Sequence, residues 1–128
     1  MTVLINSDAG KLTLGPLENE YIEVCYQTNG INISTRPYLY TDGIELANFF
    51  KSMANDWKGW QGSKSWASIE SDFELEATND GTSSVELSFS LRKNVGADDD
   101  WEFKGKIKLE LGTLDNIANE VAKLYQKP

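Results

Sequence analysis

Four acidic residues occupy alternate positions in one segment of the chain, at Glu70, Asp72, Glu74 and Glu76, and the residues between them are mostly apolar. Because the side chains of a β-strand alternate between its two faces, this spacing predicts a row of four carboxylates on one face. Such a row could serve acid–base chemistry or the recognition of a cationic partner. Neighbouring members would lie about 6.5–7 Å apart, where repulsion in water costs only about 0.6 kcal/mol per pair. That is too little to separate their pKa values, so catalysis is disfavoured. A solvated strand face is the favoured interpretation, and a partner-binding surface is the alternative that we carry forward.

The sequence lacks the residues from which the common catalytic and metal sites are built. It contains no histidine and a single cysteine, so the usual nucleophile–base pairs and zinc or iron ligand sets cannot be assembled. Asp98, Asp99 and Asp100 carry carboxylates that calcium accepts, but the glycine and distal glutamate of an EF-hand are missing. The sequence thus predicts no catalytic residues, no metal and no cofactor. These three aspartates join the candidate partner-binding residues, and a loop made soluble by charge is the alternative.

Three tryptophans fall within one glycine-containing segment, at Trp57, Trp60 and Trp66. They bring a large apolar area to a stretch that otherwise has the composition of a loop. The segment could pin a helix-to-strand connection onto the core. This pinning role is the favoured interpretation, and the alternative is a partly exposed aromatic binding site, because tryptophan is enriched at interface hot spots. Both interpretations stay open, and Trp60 is added to the candidate partner-binding residues.

The chain is acidic, with 20 Asp and Glu against 12 Lys and Arg in 128 residues, a net charge of −8 and a pI near 4.5. This charge repels nucleic-acid phosphates and anionic membranes and attracts basic proteins. We therefore expect a basic protein partner, no nucleic acid, no membrane, and a monomer or weak dimer. The absence of a signal-peptide pattern and of a long apolar run predicts an unprocessed cytoplasmic protein. Cys25 lies in a strand pattern and is expected to be a buried, inert thiol.

The first part of the sequence has the alternation of β structure. Asn29-Gly30 is a strong signal for a two-residue hairpin turn, which would place Tyr26 opposite Ile33. The strands predicted in this part are Lys11–Leu14, Tyr21–Thr28 and Ile31–Tyr38.

Two segments have the apolar spacing of amphipathic helices. The first is expected to begin at Gly43 or Ile44, with Asp42 as its N-cap, and to end around residues 55–57. Thr113 is the expected N-cap of the second helix, which closes the sequence. The apolar stripes are Leu46, Phe49, Phe50, Met53 and Trp57 in the first helix and Leu114, Ile117, Ala118, Val121, Leu124 and Tyr125 in the second.

Three further strands are predicted between the helices: Ser68–Thr78 with the carboxylate row, one that contains Val85, Leu87, Phe89 and Leu91, and one over Trp101–Leu111. A two-residue Asp80-Gly81 turn would mix the core face with the solvent face. A three-residue loop over 79–81, with Gly81 in the left-handed region, restores agreement and places Leu75 opposite Val85.

The next connection sets a second register. If Lys93 faces Trp101, charges of opposite sign fall opposite each other twice, at Arg92–Glu102 and at Glu86–Lys108. The outer face of the sheet would then be striped, with the carboxylate row on one side, serines in the centre and lysines on the other side. The central residues are Ser88 and Ser90, and the lysines are Lys104, Lys106 and Lys108.

Together these elements predict one α+β domain over residues 1–128, a usual size for a single domain. The expected architecture is an antiparallel sheet of about six strands with the two amphipathic helices on one face, in the order β-β-β-α-β-β-β-α. The other face of the sheet would be open to solvent or to a partner.

The tryptophan segment also carries a family resemblance. Asp56-Trp57-Lys58-Gly59-Trp60-Gln61-Gly62, then Trp66 and Ser68-Ile69-Glu70, give the pattern W-x-G-W-x-G…W-x-S-I/L-E, followed by Leu75, Ala77-Thr78 and Asp80-Gly81. The pattern is similar to that of an uncharacterised bacterial family of unknown function, over approximately Phe49 to Leu111. The resemblance implies a bacterial, soluble α+β domain and supplies no activity or catalytic residue. Of the acidic row, Glu70 belongs to the pattern and the later acids are not prescribed by it.

Three functional hypotheses follow. The first is a non-catalytic immunity protein that neutralises a basic bacterial toxin, for example a nuclease, by occupying its site; the acidic charge and the carboxylate row favour it by analogy with that class. The second is a regulatory or housekeeping interaction domain that uses the Trp57–Trp66 segment. The third is a small-ligand binder or an unrecognised enzyme, which a closed pocket lined by tyrosines and carboxylates would favour.

Overall fold

A computed structural model describes residues 2–40, 43–93 and 96–125, and these form eight strands, two α-helices and one 3₁₀ turn. The strands of the first half are β1 (Val3–Asn6), β2 (Gly10–Leu14), β3 (Val24–Thr28) and β4 (Ile31–Thr35). Those of the second half are β5 (Lys64–Ala67), β6 (Phe73–Asn79), β7 (Ser84–Lys93) and β8 (Trp101–Glu110). The helices are α1 (Ile44–Asn55) and α2 (Leu114–Leu124), and the 3₁₀ turn Leu111–Thr113 precedes α2.

The strands form two antiparallel sheets of four, with the orders β1-β2-β3-β4 and β5-β6-β7-β8. The predicted α+β class and the two helices are confirmed, but the prediction of a single sheet of about six strands is wrong. The element order is β-β-β-β-α-β-β-β-β-α. Each half of the chain therefore pairs only with itself, and the apolar faces of the two sheets are buried in one common core.

Two strands that the sequence analysis missed complete the two sheets. In β1, Val3 and Ile5 are buried whereas Leu4 and Asn6 are exposed, which is a strand alternation too short to stand out in the sequence. In β5, Trp66 is half-buried between exposed neighbours, in a stretch assigned to a loop because of its glycines. Both are edge strands, and each contacts a helix: α2 packs beside β1, and α1 packs beside β5.

The centre of the core lies between the sheets. The ring of Tyr26 on β3 lies 4.7 Å from that of Phe89 on β7 and 5.7 Å from that of Phe103 on β8, measured between centroids. The helices pack against each other and place their apolar stripes in the same core. They therefore join the two sheets instead of covering one face of a single sheet.

Helix α1 has the predicted start and end. Its apolar stripe is buried except for Trp57, which lies beyond the last turn and is 49% exposed, so the inclusion of Trp57 in the stripe is wrong. Gly43 precedes the helix with φ 86°, and a Cβ there would lie 2.7 Å from Cγ of Tyr125. Asp42, the predicted N-cap, lies outside the described residues.

Helix α2 begins as predicted, with Thr113 in the N-cap position, and its apolar stripe is buried except for Leu124, which is half-buried. Thr113 makes no capping hydrogen bond to the helix, because its hydroxyl donates to the carbonyl oxygen of Glu110 at 2.7 Å. Tyr125 follows the helix and is buried, and its hydroxyl donates to the carbonyl oxygen of Gly15 at 2.9 Å. Burial raises the pKa of Tyr125, so the phenol stays neutral in the core.

Two of the three predicted registers are confirmed. Tyr26 pairs with Ile33 across the hairpin, and Lys93 pairs with Trp101 across β7 and β8. The register between β6 and β7 is wrong, because Leu75 lies opposite Phe89 and not opposite Val85. The shift is an even number of residues, so the core face and the solvent face keep their predicted members.

The polar side chains of the β6–β7 connection explain the longer loop. Asn79 is buried, and its side chain donates to the carbonyl oxygen of Trp57 at 3.0 Å and accepts from the amide of Gly81 at 2.8 Å. Asp80 accepts from the amide and the hydroxyl of Thr82, and these hydrogen bonds lower the pKa of Asp80. Asn79 therefore stays in the ladder, opposite Val85, and the loop spans residues 80–83.

Cys25 is not the buried thiol that was expected. It lies on the side of β3 that faces away from the core, is half-buried, and has its Sγ 3.3 Å from Oγ of Ser34. Neither described helix is long and apolar enough to cross a membrane.

Candidate functional site

An open groove of about 540 Å³ runs over the outer face of the second sheet. Its floor is formed by Ser88 and Ser90, and the longer side chains of the neighbouring strands form its two walls. Strand pairing aligns Glu74, Ser90 and Lys104 across β6, β7 and β8, and it aligns Glu76, Ser88 and Lys106 in the same way two residues further along. Short residues on β7 between long ones on β6 and β8 therefore create the depression. The predicted order of carboxylate, serine and lysine across the outer face is confirmed for these two sets of residues.

The lysine wall of the groove has acidic neighbours of its own. Lys106 Nζ lies 3.5 Å from Glu86 Oε1, and Lys104 Nζ lies 3.9 Å from Glu102 Oε1. The hydroxyl of Ser90 donates to the other oxygen of Glu102 at 2.9 Å. Exposed pairs at these distances are weak, but they partly neutralise the lysines.

The carboxylate wall has no such neighbours. Glu74 is half-buried and Glu76 is exposed, and neither forms an ion pair or hydrogen bond with the residues that the structure describes. The strands that carry the two walls are two strand spacings apart, about 9.6 Å, so the lysines do not satisfy these carboxylates directly. The wall is thus the side of the groove best able to receive a cation.

The predicted row of four carboxylates is only half formed. Strand β6 begins at Phe73, so Glu70 and Asp72 precede it in the turn that follows β5. The hydroxyl of Ser68 donates to Asp72 at 2.5 Å and accepts from the amide of Phe73 at 3.1 Å, and Ser71 has φ 58°. These side-chain bonds favour a turn over an extended strand. Of the four acids, only Glu74 and Glu76 therefore line the groove.

The aspartates of the β7–β8 loop lie outside the groove lining. Asp98 and Asp99 are exposed, whereas Asp100 accepts from the Arg92 guanidinium at 2.6 Å and from the amide of Gly96 at 3.2 Å. Asp100 therefore orders its own loop. Among the described residues, no three His, Cys, Asp or Glu side chains converge in a way that could hold a metal ion.

The tryptophan segment packs onto the core at two of its three rings. Trp60 is half-buried and donates from Nε1 to the carbonyl oxygen of Ala77 at 3.1 Å. Trp66 packs edge-to-face on Phe73 at 5.4 Å between ring centroids. Trp57 is the exposed ring, with the Lys58 ammonium 5.6 Å from its centroid. The anchoring interpretation thus fits Trp60 and Trp66, and Trp60 lies outside the groove lining.

Alanine substitutions are expected to separate these tryptophans. Trp60→Ala should lower the free energy of unfolding by about 2 kcal/mol, because it removes a half-buried ring and one hydrogen bond to β6. Trp57→Ala should lower it by less than about 0.5 kcal/mol, as is usual at exposed positions. Urea unfolding followed by circular dichroism measures both, and similar values for the two variants would contradict the anchoring role of Trp60.

Residues of β5 belong to the groove and were missed by the sequence analysis. Ser65 pairs with Glu76 and Ala67 with Glu74, so both extend the groove on the far side of the carboxylate wall. The sequence of this strand carries almost no signal, because Trp66 is its one large apolar residue and the other half-buried position is Lys64.

Comparison with known proteins assigns a family but no activity. The family described as "Family of unknown function (DUF6228)" matches residues 16–128, which include every strand of the groove-bearing sheet and both helices. No curated protein sequence matches the chain.

Proposed function

The chain belongs to this family of unknown function (DUF6228), and from the geometry of its groove we propose that it is a protein-binding domain that receives a basic partner there. The observation that carries the proposal is the wall formed by Glu74 and Glu76, two neighbouring carboxylates without a partner among the described residues. They flank a floor of short serine side chains, so a long cationic side chain can reach them across the groove. Both features lie on one rigid sheet, which keeps the contact surface preformed.

The charge of the whole chain supports the same partner class. A net charge of −8 attracts basic proteins over a distance and raises their association rate at low salt. The groove is open along the sheet, and such a surface suits the protruding side chains of a protein. Arginine suits it best, because its planar guanidinium pairs with carboxylates in a bidentate manner.

We further propose that the partner is a basic bacterial toxin, of the nuclease kind, which the domain neutralises by covering the toxin's site. Support comes from the acidic charge together with the carboxylate wall, because a site that binds nucleic-acid phosphates is itself basic. This step is an analogy at the level of the class.

The test is a partner search in the native host, followed by binding measurements on the purified partner. The double variant Glu74→Gln/Glu76→Gln should weaken binding about tenfold to a hundredfold, mainly through faster dissociation, because the direct pairs with the partner's cations are lost. Glu110→Gln/Glu120→Gln makes the same charge change at exposed positions outside the groove and should stay within about twofold of the wild type.

Salt supplies a second measurement in the same experiment. The association rate of the wild type should fall steeply as ionic strength rises, and that of the groove variant should fall less steeply. Equal affinities for the two double variants would refute the groove as the site. A search that recovers no toxin-like protein would refute the toxin assignment alone.

A small-ligand binder is the second candidate. The groove volume of about 540 Å³ lies within the range of ligand pockets, about 300–1,000 Å³, but the groove is open and no tyrosine lines it, so a ligand would stay partly exposed. Its carboxylate wall and lysine wall would orient a ligand with separated positive and negative groups. A zwitterionic metabolite that co-purifies with the wild type and is lost from Glu74→Gln/Glu76→Gln would favour this candidate.

A further inference from the structure

Three tyrosines form a continuous row at the end of the first sheet, and none of them lines the groove; Tyr21 and Tyr40 are exposed and Tyr38 between them is half-buried. The ring centroids of Tyr21 and Tyr38 are 5.1 Å apart with an interplanar angle of 56°. Those of Tyr38 and Tyr40 are 6.2 Å apart at 62°. Tyr21 is 41% exposed and Tyr40 is 60% exposed. We call this row, Tyr21–Tyr38–Tyr40, the tyrosine ridge.

The backbone and one carboxylate hold the ridge in place. The hydroxyl of Tyr38 donates to Glu20 at 2.7 Å, and this hydrogen bond raises the pKa of Tyr38 to about 12. Asn19, Glu20 and Tyr40 have φ values of 53°, 72° and 65°, a region that residues other than glycine seldom adopt. A single β-bridge joins Tyr21 to Tyr38. Such backbone strain is concentrated at functional sites, and here it fixes an exposed aromatic surface.

A hollow of mixed apolar and polar lining, which includes Glu45, continues past one end of the ridge. Tyr40 also lines a hollow of about 280 Å³ together with Leu39, Trp66 and Ile69. Ile69 is 61% exposed at its rim. The hollow is large enough for an aliphatic side chain, so a segment that follows the ridge can place one there.

The charges beside the ridge are mainly acidic. Glu18 and Glu23 line a second hollow with Tyr21 and Arg36, and the Arg36 guanidinium lies 5.9 Å from the Tyr21 ring centroid. Glu20 adds a carboxylate at Tyr38. Three acids against one arginine favour a segment with a basic residue at this end.

We propose that the tyrosine ridge binds a proline-rich segment of a partner protein, with a basic residue at the Tyr21 end and an apolar residue at the Tyr40 end. Proline-rich segments form polyproline II helices, which dock on grooves lined by exposed aromatic rings. In the proposed complex the pyrrolidine rings pack against the exposed tyrosine rings. The hydroxyls of Tyr21 and Tyr40 can donate to the carbonyls of the segment, which have no internal hydrogen bonds in this helix. This inference is independent of the function proposed for the groove.

A short synthetic peptide tests the proposal directly. The probe is proline-rich, with an arginine at one end and a leucine at the other, and binding is followed by nuclear magnetic resonance titration of the full chain. The wild type should bind it saturably. Tyr21→Ala/Tyr40→Ala should lower the affinity about tenfold or more, because aromatic anchors dominate such contacts. Tyr21→Phe/Tyr40→Phe keeps the rings, loses only the hydroxyls and should show a smaller loss.

Control variants isolate the ridge. Trp57→Ala removes an exposed aromatic ring elsewhere and should bind like the wild type, as should the groove variant Glu74→Gln/Glu76→Gln. Replacing the prolines of the peptide by alanine, or its arginine by glutamate, should weaken binding. The absence of saturable binding by the wild type would overturn the proposal, as would full affinity in a folded Tyr21→Ala/Tyr40→Ala variant.

Discussion

Replacing Gly81 by alanine is expected to lower the free energy of unfolding by about 2–5 kcal/mol, the sum of two separate costs. Gly81 has φ 82°, in the left-handed region, where an L-residue loses about 1–2 kcal/mol. A Cβ at this position would also overlap the carbonyl oxygen of Lys58. That oxygen belongs to the backbone of the tryptophan segment and cannot move without displacing it, which adds about 1–3 kcal/mol of overpacking. Urea unfolding monitored by circular dichroism gives the loss.

Gly30→Ala is the matched control for this effect. Gly30 has nearly the same φ, 79°, but no atom lies within 4 Å of the position that its Cβ would take. It should therefore show the left-handed cost alone, about 1 kcal/mol. If Gly81→Ala costs no more than Gly30→Ala, the backbone at Lys58 moves away from the added Cβ and the close approach of the two segments is not rigid.

The same contact shows why the β6–β7 loop could not be predicted from local patterns. A glycine in the left-handed region was foreseen at position 81 and is present. Asn79, two residues before Gly81, donates a side-chain hydrogen bond to the carbonyl oxygen of Trp57, more than twenty residues earlier in the chain. This long-range hydrogen bond keeps Asn79 paired with Val85 in the β6–β7 ladder. A Cβ on Gly59 would meet Gly81 Cα at 3.3 Å, so two glycines allow the segments to touch. Such contacts leave no periodic signal in either segment.

The division into two sheets was hidden for a similar reason. Alternation identifies strands and their faces, and it gave the correct β7–β8 register because charge pairs such as Glu86 and Lys108 fix the alignment. Alternation does not show whether the strands before α1 pair with the strands after it. The edge strands β1 and β5 have only four residues each, so their pattern was too short to count as a strand.

The candidate site was predictable where it depends on strand period and not where it depends on turns. Glu74 and Glu76 follow the period of β6 and line the groove, as the carboxylate row implied. Glu70 and Asp72 fit the same period, but the hydrogen bonds of Ser68 end the strand before them. The tyrosine ridge was missed because its members come from two segments that a single β-bridge brings together.

Phe89→Ala is expected to lower the free energy of unfolding by about 3–5 kcal/mol, because it opens a cavity between the sheets. Phe89 is 3% exposed and contacts Tyr26 in the opposite sheet. Gly105 lies directly opposite it on β8, and a Cβ there would be 2.5 Å from Phe89 Cζ. The phenyl ring thus occupies the space that a side chain at position 105 would need. Thermal unfolding by calorimetry and urea titration both measure the loss.

A double-mutant cycle tests that shared space and links it to the groove. Gly105→Ala alone should lower the free energy of unfolding by about 1–3 kcal/mol, because the added methyl group overpacks the core. Phe89→Leu should relieve part of this overpacking. The double variant should therefore be more stable than the sum of the two single losses implies. Additive losses would mean that the two residues do not compete for one volume.

Because Ser88 and Ser90 flank Phe89 on β7, a displaced ring also tilts the groove floor. Binding of the groove's partner should therefore weaken in Gly105→Ala and recover in the double variant, a coupling that a purely local role of Phe89 would not produce.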